Sequence, residues 1–75
     1  MIYILGGSYS QAIDYMRFKG LTVKTAKILE SPRDLRALLR IRITAIGSWY
    51  TRDDIHEFEE AALSRQMSII EDASW

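Results

Sequence analysis

Three times along this sequence, an apolar run is followed directly by the start of a helical pattern. Each start carries a hydroxyl residue and, three positions later, a side chain that can reach back to it. The three pairs are Ser8 with Gln11, Ser31 with Asp34, and Thr51 with Asp54. This spacing is typical of a capping box at a helix N-terminus. The repetition predicts three strand-loop-helix units, which restricts the folds open to the chain.

The apolar runs and helical patterns alternate. We expect strands at residues 2–5, 24–29 and 42–46, and helices at 9–19, at 32–40 and after Thr51. The segment MSIIE, residues 67–71, is compatible with a fourth strand. Strands that alternate with helices indicate right-handed βαβ units and a parallel sheet. The predicted fold class is therefore α/β, a small three-layer sandwich with the element order βαβαβα.

The composition of the strands predicts their order. Residues 2–5 form the only fully apolar run, and a strand that is buried on both faces belongs in the middle of a parallel sheet. Lys24 and Lys27 suit an edge, where charged side chains discourage pairing with other chains. The predicted order is 2-1-3, or 2-1-3-4 if the fourth strand forms.

Length and composition bound the class of protein. The chain has 75 residues, ten Lys and Arg, ten Asp and Glu, and no cysteine. We expect one domain over residues 1–75 and a cytoplasmic location, because no run suits a secretion signal or a membrane segment. The net charge of zero argues against general polyanion binding by the whole molecule. Residues 71–75 are expected to form a flexible or partner-binding tail.

The predicted topology covers the two faces of the sheet unequally. Two helices shield one face and one helix shields the other, so the part over strands three and four is left bare. The C-terminal tail and a second copy of the protein are the two candidates to cover it. Three aromatic residues are candidate interface residues: Tyr15, Phe18 and Trp75. A homodimer is the favoured assembly.

Charge is segregated along the chain. The second predicted helix carries a basic stripe of Arg33, Arg36 and Arg40, whereas residues 53–60 hold five carboxylates and no Lys or Arg. Because these two helices are predicted to lie side by side, exposed ion pairs between them are the ordinary interpretation. A basic stripe that binds nucleic acid or an acidic partner is the alternative.

Two loops are predicted to meet at the carboxyl ends of strands one and three, where an open parallel sheet commonly binds ligands. They span residues 6–10 and 47–52. Their candidate ligand-binding residues are Gly6, Gly7, Ser8, Ser10, Ser48, Trp49, Tyr50 and Arg52. Free N–H groups at the helix starts suit an anion or a nucleotide. The segment GGSYSQA nevertheless lacks both the Gly-Lys-Ser/Thr ending of a P-loop and the G-x-G-x-x-G fingerprint, so a tight turn with a capped helix is favoured.

The residues offer little catalytic chemistry. His56 is the only histidine and lies beside Glu57 on a predicted helix, and no nucleophile with a base and an orienting group can be assembled. Scattered carboxylates do not make a metal site. We therefore predict that the chain is not an enzyme and that it has no cofactor.

Several segments together resemble a known group of proteins. They are a first strand ending in YILGG, the helix start SPRDLRAL, and the third strand and loop IGSWYTRDDI. Over most of its length the chain is similar to short uncharacterised, half-Rossmann-like α/β proteins encoded by phages of actinobacteria. The resemblance implies a phage-encoded protein inside the host cell. The expected function is that of a non-enzymatic accessory protein that contacts itself or a host protein, with nucleotide or nucleic-acid binding as the alternative.

Overall fold

A computed structural model describes residues 1–75 as four strands and two α-helices. In chain order they are β1 (Ile2–Leu5), α1 (Tyr9–Lys19), β2 (Ala26–Ile28), β3 (Arg42–Ala45), α2 (Ile55–Ser64) and β4 (Ser68–Glu71). All strands are parallel, in the order β2-β1-β3-β4. The α/β class, the central first strand and the fourth strand are confirmed.

The first helix begins and ends as its sequence predicts. The Ser8 hydroxyl accepts a hydrogen bond from the backbone N–H of Gln11 at 3.2 Å. Gly20 ends α1 in the left-handed conformation, with φ of 68°. A residue without a Cβ reaches this conformation at little cost, which explains the glycine.

The prediction of a helix at residues 32–40 is wrong. A short 3-10 helix, Pro32–Leu35, is followed by turns, and Leu39 is 68% exposed instead of buried. Asp34 caps the start as expected, since its carboxylate accepts from the N–H of Ser31 at 3.3 Å. No helix resumes after Leu35, and at the end of the segment Arg40 is left-handed, with φ of 57°, and donates its N–H to the distant carbonyl of Arg65.

The third predicted helix also starts at a different residue from the one that the sequence predicted. α2 begins at Ile55 with Asp54 as its N-cap residue, so Thr51 does not cap it. Thr51 lies in a 3-10 helix, Trp49–Thr51, and its hydroxyl donates to the carbonyl of Ser48 at 2.7 Å. The intervening residues carry Arg52 inward to the end of the sheet.

The sheet separates two hydrophobic clusters. α2 and the segment after Pro32 pack on one face, around Leu5, Ile43 and Phe58. α1 packs on the other face, around Ile4, with Ala26 and Ile46 beside it. Apolar burial on both faces of the central strand is the main stabilising contribution to the fold. Neither helix is long and apolar enough to cross a membrane.

Candidate functional site

The loops after β1 and β3 lie side by side at the carboxyl end of the sheet, as predicted, because Leu5 pairs with Ala45. Gln11 joins them. Its Oε1 accepts from the N–H of Gly7 at 2.9 Å and from the N–H of Ser48 at 3.1 Å, while its Nε2 donates to the Ser48 hydroxyl at 2.9 Å. An anion that bound in this crevice would need the N–H groups of Gly7 and Ser48, and it would have to displace Gln11 from them.

The close approach of these loops accounts for a glycine at position 7. A Cβ there would clash with Oγ of Ser48 and would lie only 2.8 Å from Oε1 of Gln11 and 2.9 Å from the backbone carbonyl carbon of Ser48. Any larger residue would push the loops apart. Gly7 therefore serves the contact between the two loops, which matches the tight-turn interpretation of the GGSYS segment.

Arg52 is engaged within the chain. Its Nη1 donates to the carbonyl of Gly6 and its Nη2 to the carbonyl of Glu30, both at 2.8 Å. Its Nε donates to Oδ1 of Asp54 at 2.8 Å, and the guanidinium lies 5.0 Å from the centre of the Phe58 ring. The guanidinium thus ties the ends of β1 and β2 to the start of α2, and most of its donors are occupied.

The bond to Arg52 also changes the acidity of Asp54. Hydrogen bonding from the guanidinium, reinforced by its charge, lowers the pKa of Asp54 below 3.8 although partial burial acts in the opposite direction. The carboxylate is consequently held ionised. The Arg52–Asp54 pair positions the loop before α2.

An open cleft of about 380 Å³ lies beside this pair, on the β2 side of the sheet. Its lining residues are Gly7, Ser8, Tyr9, Ile28, Leu29, Glu30, Arg52, Asp53 and Asp54. Gly7, Ser8 and Arg52 belong to the sequence-based set, whereas Gly6, Ser10, Ser48, Trp49 and Tyr50 lie outside the lining. Three carboxylates against one engaged guanidinium make the cleft unfavourable for a phosphate.

The two aromatic residues of the GSWYTR segment are placed differently from each other. Trp49 packs against the α2-side core and donates its Nε1–H to Glu71 at 3.0 Å. Tyr50 is exposed and meets Trp49 edge to face, with 6.0 Å between ring centres. Of these two residues, Tyr50 is the one with a free face.

The C-terminal residues fold back on α1. Tyr15 is 5% exposed and donates its phenol hydrogen to Oδ2 of Asp72 at 2.6 Å. Trp75 meets the Tyr15 ring edge to face at 5.9 Å. Lys19 lies 3.6 Å from Asp72, and Phe18 points outward beside it. Of the three candidate interface residues, Tyr15 is thus used inside the monomer, Phe18 is exposed, and Trp75 is part of a docked tail.

Burial and the bond to Asp72 act together on Tyr15. Desolvation, followed by the hydrogen bond and the nearby negative charge, raises its pKa from 10.0 to about 12. Hydrogen bonds from Ser74 and Tyr15 lower the pKa of Asp72. The neutral phenol and the charged carboxylate are the forms that hold the tail.

The ion pairs predicted between the basic stripe and the acidic helix do not form. The basic side chains within ion-pair distance of a carboxylate are those of Lys19, Arg52 and His56, and none of these belongs to the stripe. The prediction assumed two long helices side by side. Because the chain turns after Leu35, Arg40 instead donates to the side chain of Gln66 at 3.1 Å.

Comparisons of the chain with protein-family models, with curated proteins and with solved structures gave no match. Its function is therefore inferred from its own geometry. Two surfaces stand apart from the internal contacts described above. One is the outer edge of β4, and the other is a group of arginines at the amino end of the sheet.

Proposed function

We propose that the chain acts by protein contact rather than catalysis, as a homodimer in which the β4 edges of two copies pair. The exposed β4 edge beside Ile70 carries this proposal. A free strand edge offers backbone hydrogen bonds to any matching strand, and a second copy supplies an identical one.

The hydrogen-bonding pattern of β4 shows which groups are free. The N–H of Ser68 binds the carbonyl of Ile41, and the N–H of Asp72 binds the carbonyl of Ala45. Backbone groups alternate in direction along a strand, so those of Ile69 and Glu71 point away from β3. They form the row that a partner strand would use.

The two edges of the sheet differ in their protection. On β2, which is three residues long, the exposed Lys27 occupies the middle and the N–H of Ala26 is already bonded to Thr22. The edge strand β4 has neither a lysine nor a proline. Natural monomers usually block a free edge with such features, so β4 is the edge suited to pairing.

Apolar side chains flank this edge on both sides. Ile70, in register with Thr44 on the α1 side, is 48% exposed because α1 packs over β1 and β2 instead. Leu63, on α2 above β4, is 82% exposed. Since Arg65 binds the carbonyl of Arg36, the flank of α2 that bears Leu63 faces away from that segment, toward the β4 side.

Two-fold pairing centred on Ile70 satisfies all of these features. Antiparallel strands in this register bring Ile70 opposite its own copy and pair Ile69 with Glu71 of the other chain. The result is one eight-stranded sheet with apolar contacts on both faces. A phage accessory role, implied by the resemblance, stays a prediction within this proposal.

Sedimentation equilibrium of the wild type and two variants tests the dimer. We expect the wild type to be dimeric at tens of micromolar and Ile70→Lys to be monomeric, because two lysines would face each other. Val23→Lys is the matched control, since Val23 is 84% exposed and lies near β2. It should remain dimeric. A monomeric wild type, or dissociation of both variants, would contradict the proposal.

A further inference from the structure

Four arginines lie at the amino end of the sheet. We call Arg36, Arg40, Arg42 and Arg65 the arginine cluster. Nη1 of Arg65 donates to the carbonyl of Arg36 at 2.8 Å, and the N–H of Arg40 donates to the carbonyl of Arg65 at 3.1 Å. Arg42 is in register with Ser68 on the neighbouring strand and, two residues before Thr44, lies on the α1 face of the sheet. The fold thus places four positive charges that are dispersed in the sequence at one end of the sheet, with Arg42 on the face opposite Arg36 and Arg65.

No carboxylate neutralises the arginine cluster. None of its guanidinium groups lies within 4.0 Å of an Asp or Glu side chain, and Arg36, Arg40 and Arg42 are exposed. Like charges held together oppose folding. The side chains of Arg36 and Arg42 make no hydrogen bond within the chain, so internal contacts do not account for their charge.

The backbone conformation at Arg40 also supports a binding role for the arginine cluster. Arg40 and Gln66 both have φ of 57°, a left-handed conformation that disfavours residues with a Cβ. Glycine would relieve this cost at position 40. An arginine is present instead, and its Nε is held at 3.1 Å by the Gln66 side chain. This bond leaves the two terminal nitrogens of the guanidinium available to a ligand.

We propose that the arginine cluster binds the phosphodiester backbone of double-stranded nucleic acid. A guanidinium donates a planar fork of N–H groups that matches a phosphate. The exposed apolar neighbours of the arginine cluster are Leu39 and Leu63, which are near it in sequence, and Ile2, which lies beside Arg42 in the sheet, whereas the centre of a protein interface is usually apolar.

The composition of the surface also indicates that the ligand is a duplex rather than a single strand. Single strands are commonly bound by stacking of bases on aromatic rings. The exposed Tyr50 follows the carboxyl end of β3, whereas the arginine cluster precedes β3 and β4. Contacts limited to phosphates position a duplex without reading its sequence.

The neutral net charge does not prevent such binding. The molecule is 31 Å long, and the screening length at physiological salt is about 8 Å, so a ligand at one end senses mainly the nearest charges. Glu60 on α2 precedes Arg65 by five residues, or about 7 Å along the helix axis. The carboxylates of α2 therefore weaken binding without abolishing it.

Fluorescence anisotropy with a labelled mixed-sequence DNA duplex, measured over a salt series, tests the inference. The wild type should bind at low salt, and log K should fall with log salt with a slope of roughly −3 to −4 if four phosphates are contacted. R36Q/R42Q should bind at least about tenfold more weakly and lose about half of that slope.

Matched variants separate the arginine cluster from net charge and from folding. R17Q/K27Q removes two exposed positive charges elsewhere, on α1 and β2, and should weaken binding much less. E57Q/E60Q should strengthen it, because it removes nearby negative charge. R36Q/R42Q should unfold at the same temperature as the wild type or higher, since its substitutions relieve repulsion.

Several outcomes would overturn the inference. They are equal loss of binding in R36Q/R42Q and R17Q/K27Q, tighter binding of the single strand than of the duplex, and preference for a polyglutamate peptide over DNA. The last would identify an acidic protein as the partner. Repeating the titration with Ile70→Lys separates this inference from the dimer, because one arginine cluster per chain is enough for binding.

Discussion

Gln11 and Ser48, 37 residues apart, are joined by two hydrogen bonds: the N–H of Ser48 to Oε1 of Gln11 at 3.1 Å, and Nε2 of Gln11 to Oγ of Ser48 at 2.9 Å. A third bond, from the N–H of Gly7, reaches the same Oε1. The amide thus closes the crevice between the loops after β1 and β3. Groups that would bind an anion in a phosphate loop here stabilise the fold.

Gln11→Ala should destabilise the protein by about 1–3 kcal/mol, because two backbone N–H groups lose their partner in a partly buried position. Urea unfolding followed by tryptophan fluorescence measures the loss. Gln11→Glu keeps an acceptor for both N–H groups and should cost less. Equal stability of Gln11→Ala and the wild type would show that water replaces the amide fully.

Arg52→Lys should lose about 2 kcal/mol of stability although it keeps the positive charge. The ammonium cannot reproduce the planar fork that binds Gly6, Glu30 and Asp54 together. Arg52→Ala should lose more. The free energy of unfolding in urea is the measurement, and an unchanged Arg52→Lys would mean that charge alone matters.

The same arginine should govern part of the acid sensitivity. The pKa of Asp54 is lowered below 3.8 in the folded state, so its stabilising effect is present above about pH 4 and is lost as the pH falls further. In Arg52→Ala this contribution should disappear. Acid titration of the unfolding free energy should therefore be flatter below pH 4 in the variant, and parallel curves would contradict the assignment.

Tyr15→Phe should remove a decrease in the free energy of unfolding that the wild type shows at alkaline pH. The folded pKa of Tyr15 is raised from 10.0 to about 12, so the neutral phenol stabilises the fold below pH 10 and this effect is lost as the pH rises from 10 to 12. The loss amounts to about 2–3 kcal/mol at most. Between pH 10 and 12 the free energy of unfolding of the wild type should therefore fall to that of the variant or below it. At neutral pH the wild type is more stable by about 1 kcal/mol.

Unfolding free energies of the wild type and Tyr15→Phe at each pH test this, because their difference cancels the titration of other groups. Asp72→Asn is the control. It removes the partner but leaves Tyr15 buried, and burial is the largest cause of the raised pKa. The alkaline decrease should remain in Asp72→Asn, at a somewhat lower pH.

Arg40→Gly should be more stable than Arg40→Ala by about 1 kcal/mol. Both variants remove the same charge and the same bond to Gln66, and only glycine adopts φ of 57° without cost. Thermal unfolding of the pair measures the difference. Equal stabilities would indicate that the turn rearranges when the arginine is removed.

The strand order was predictable because it depends on simple exclusions. A fully apolar run such as Ile2–Leu5 is stable only where both faces are covered, and Lys27 is easily accommodated at an edge. The cap at Ser8 and the stop at Gly20 were predictable as well, since both act through bonds to neighbours in sequence.

The segment at residues 32–40 was not predictable in the same way. Its leucines recur with helical spacing, yet Arg40 takes a left-handed conformation and bonds to Arg65 and Gln66, which are distant in sequence. These contacts exist only once α2 and β4 are in place. They outweigh the modest helical preference of a short segment.

The candidate site was likewise predictable in part: the position of its loops could be predicted, and its side-chain contacts could not. The sequence placed the loops 6–10 and 47–52 together, but no local signal showed that the side chain of Gln11 would fill the crevice between them. Nor did it show that Arg52 would bind Gly6 and Glu30. Each of these side chains has one partner nearby in sequence and others more than twenty residues away.

The α/β class, the order of the parallel strands and the first helix could be predicted without coordinates, because apolar periodicity and capping bonds act over a few residues. Which polar groups are satisfied and which surfaces remain exposed became known only from the folded chain. Those outcomes depend on backbone groups brought together by the sheet. The engaged Arg52, the free β4 edge and the unpaired arginine cluster all follow from that assembly.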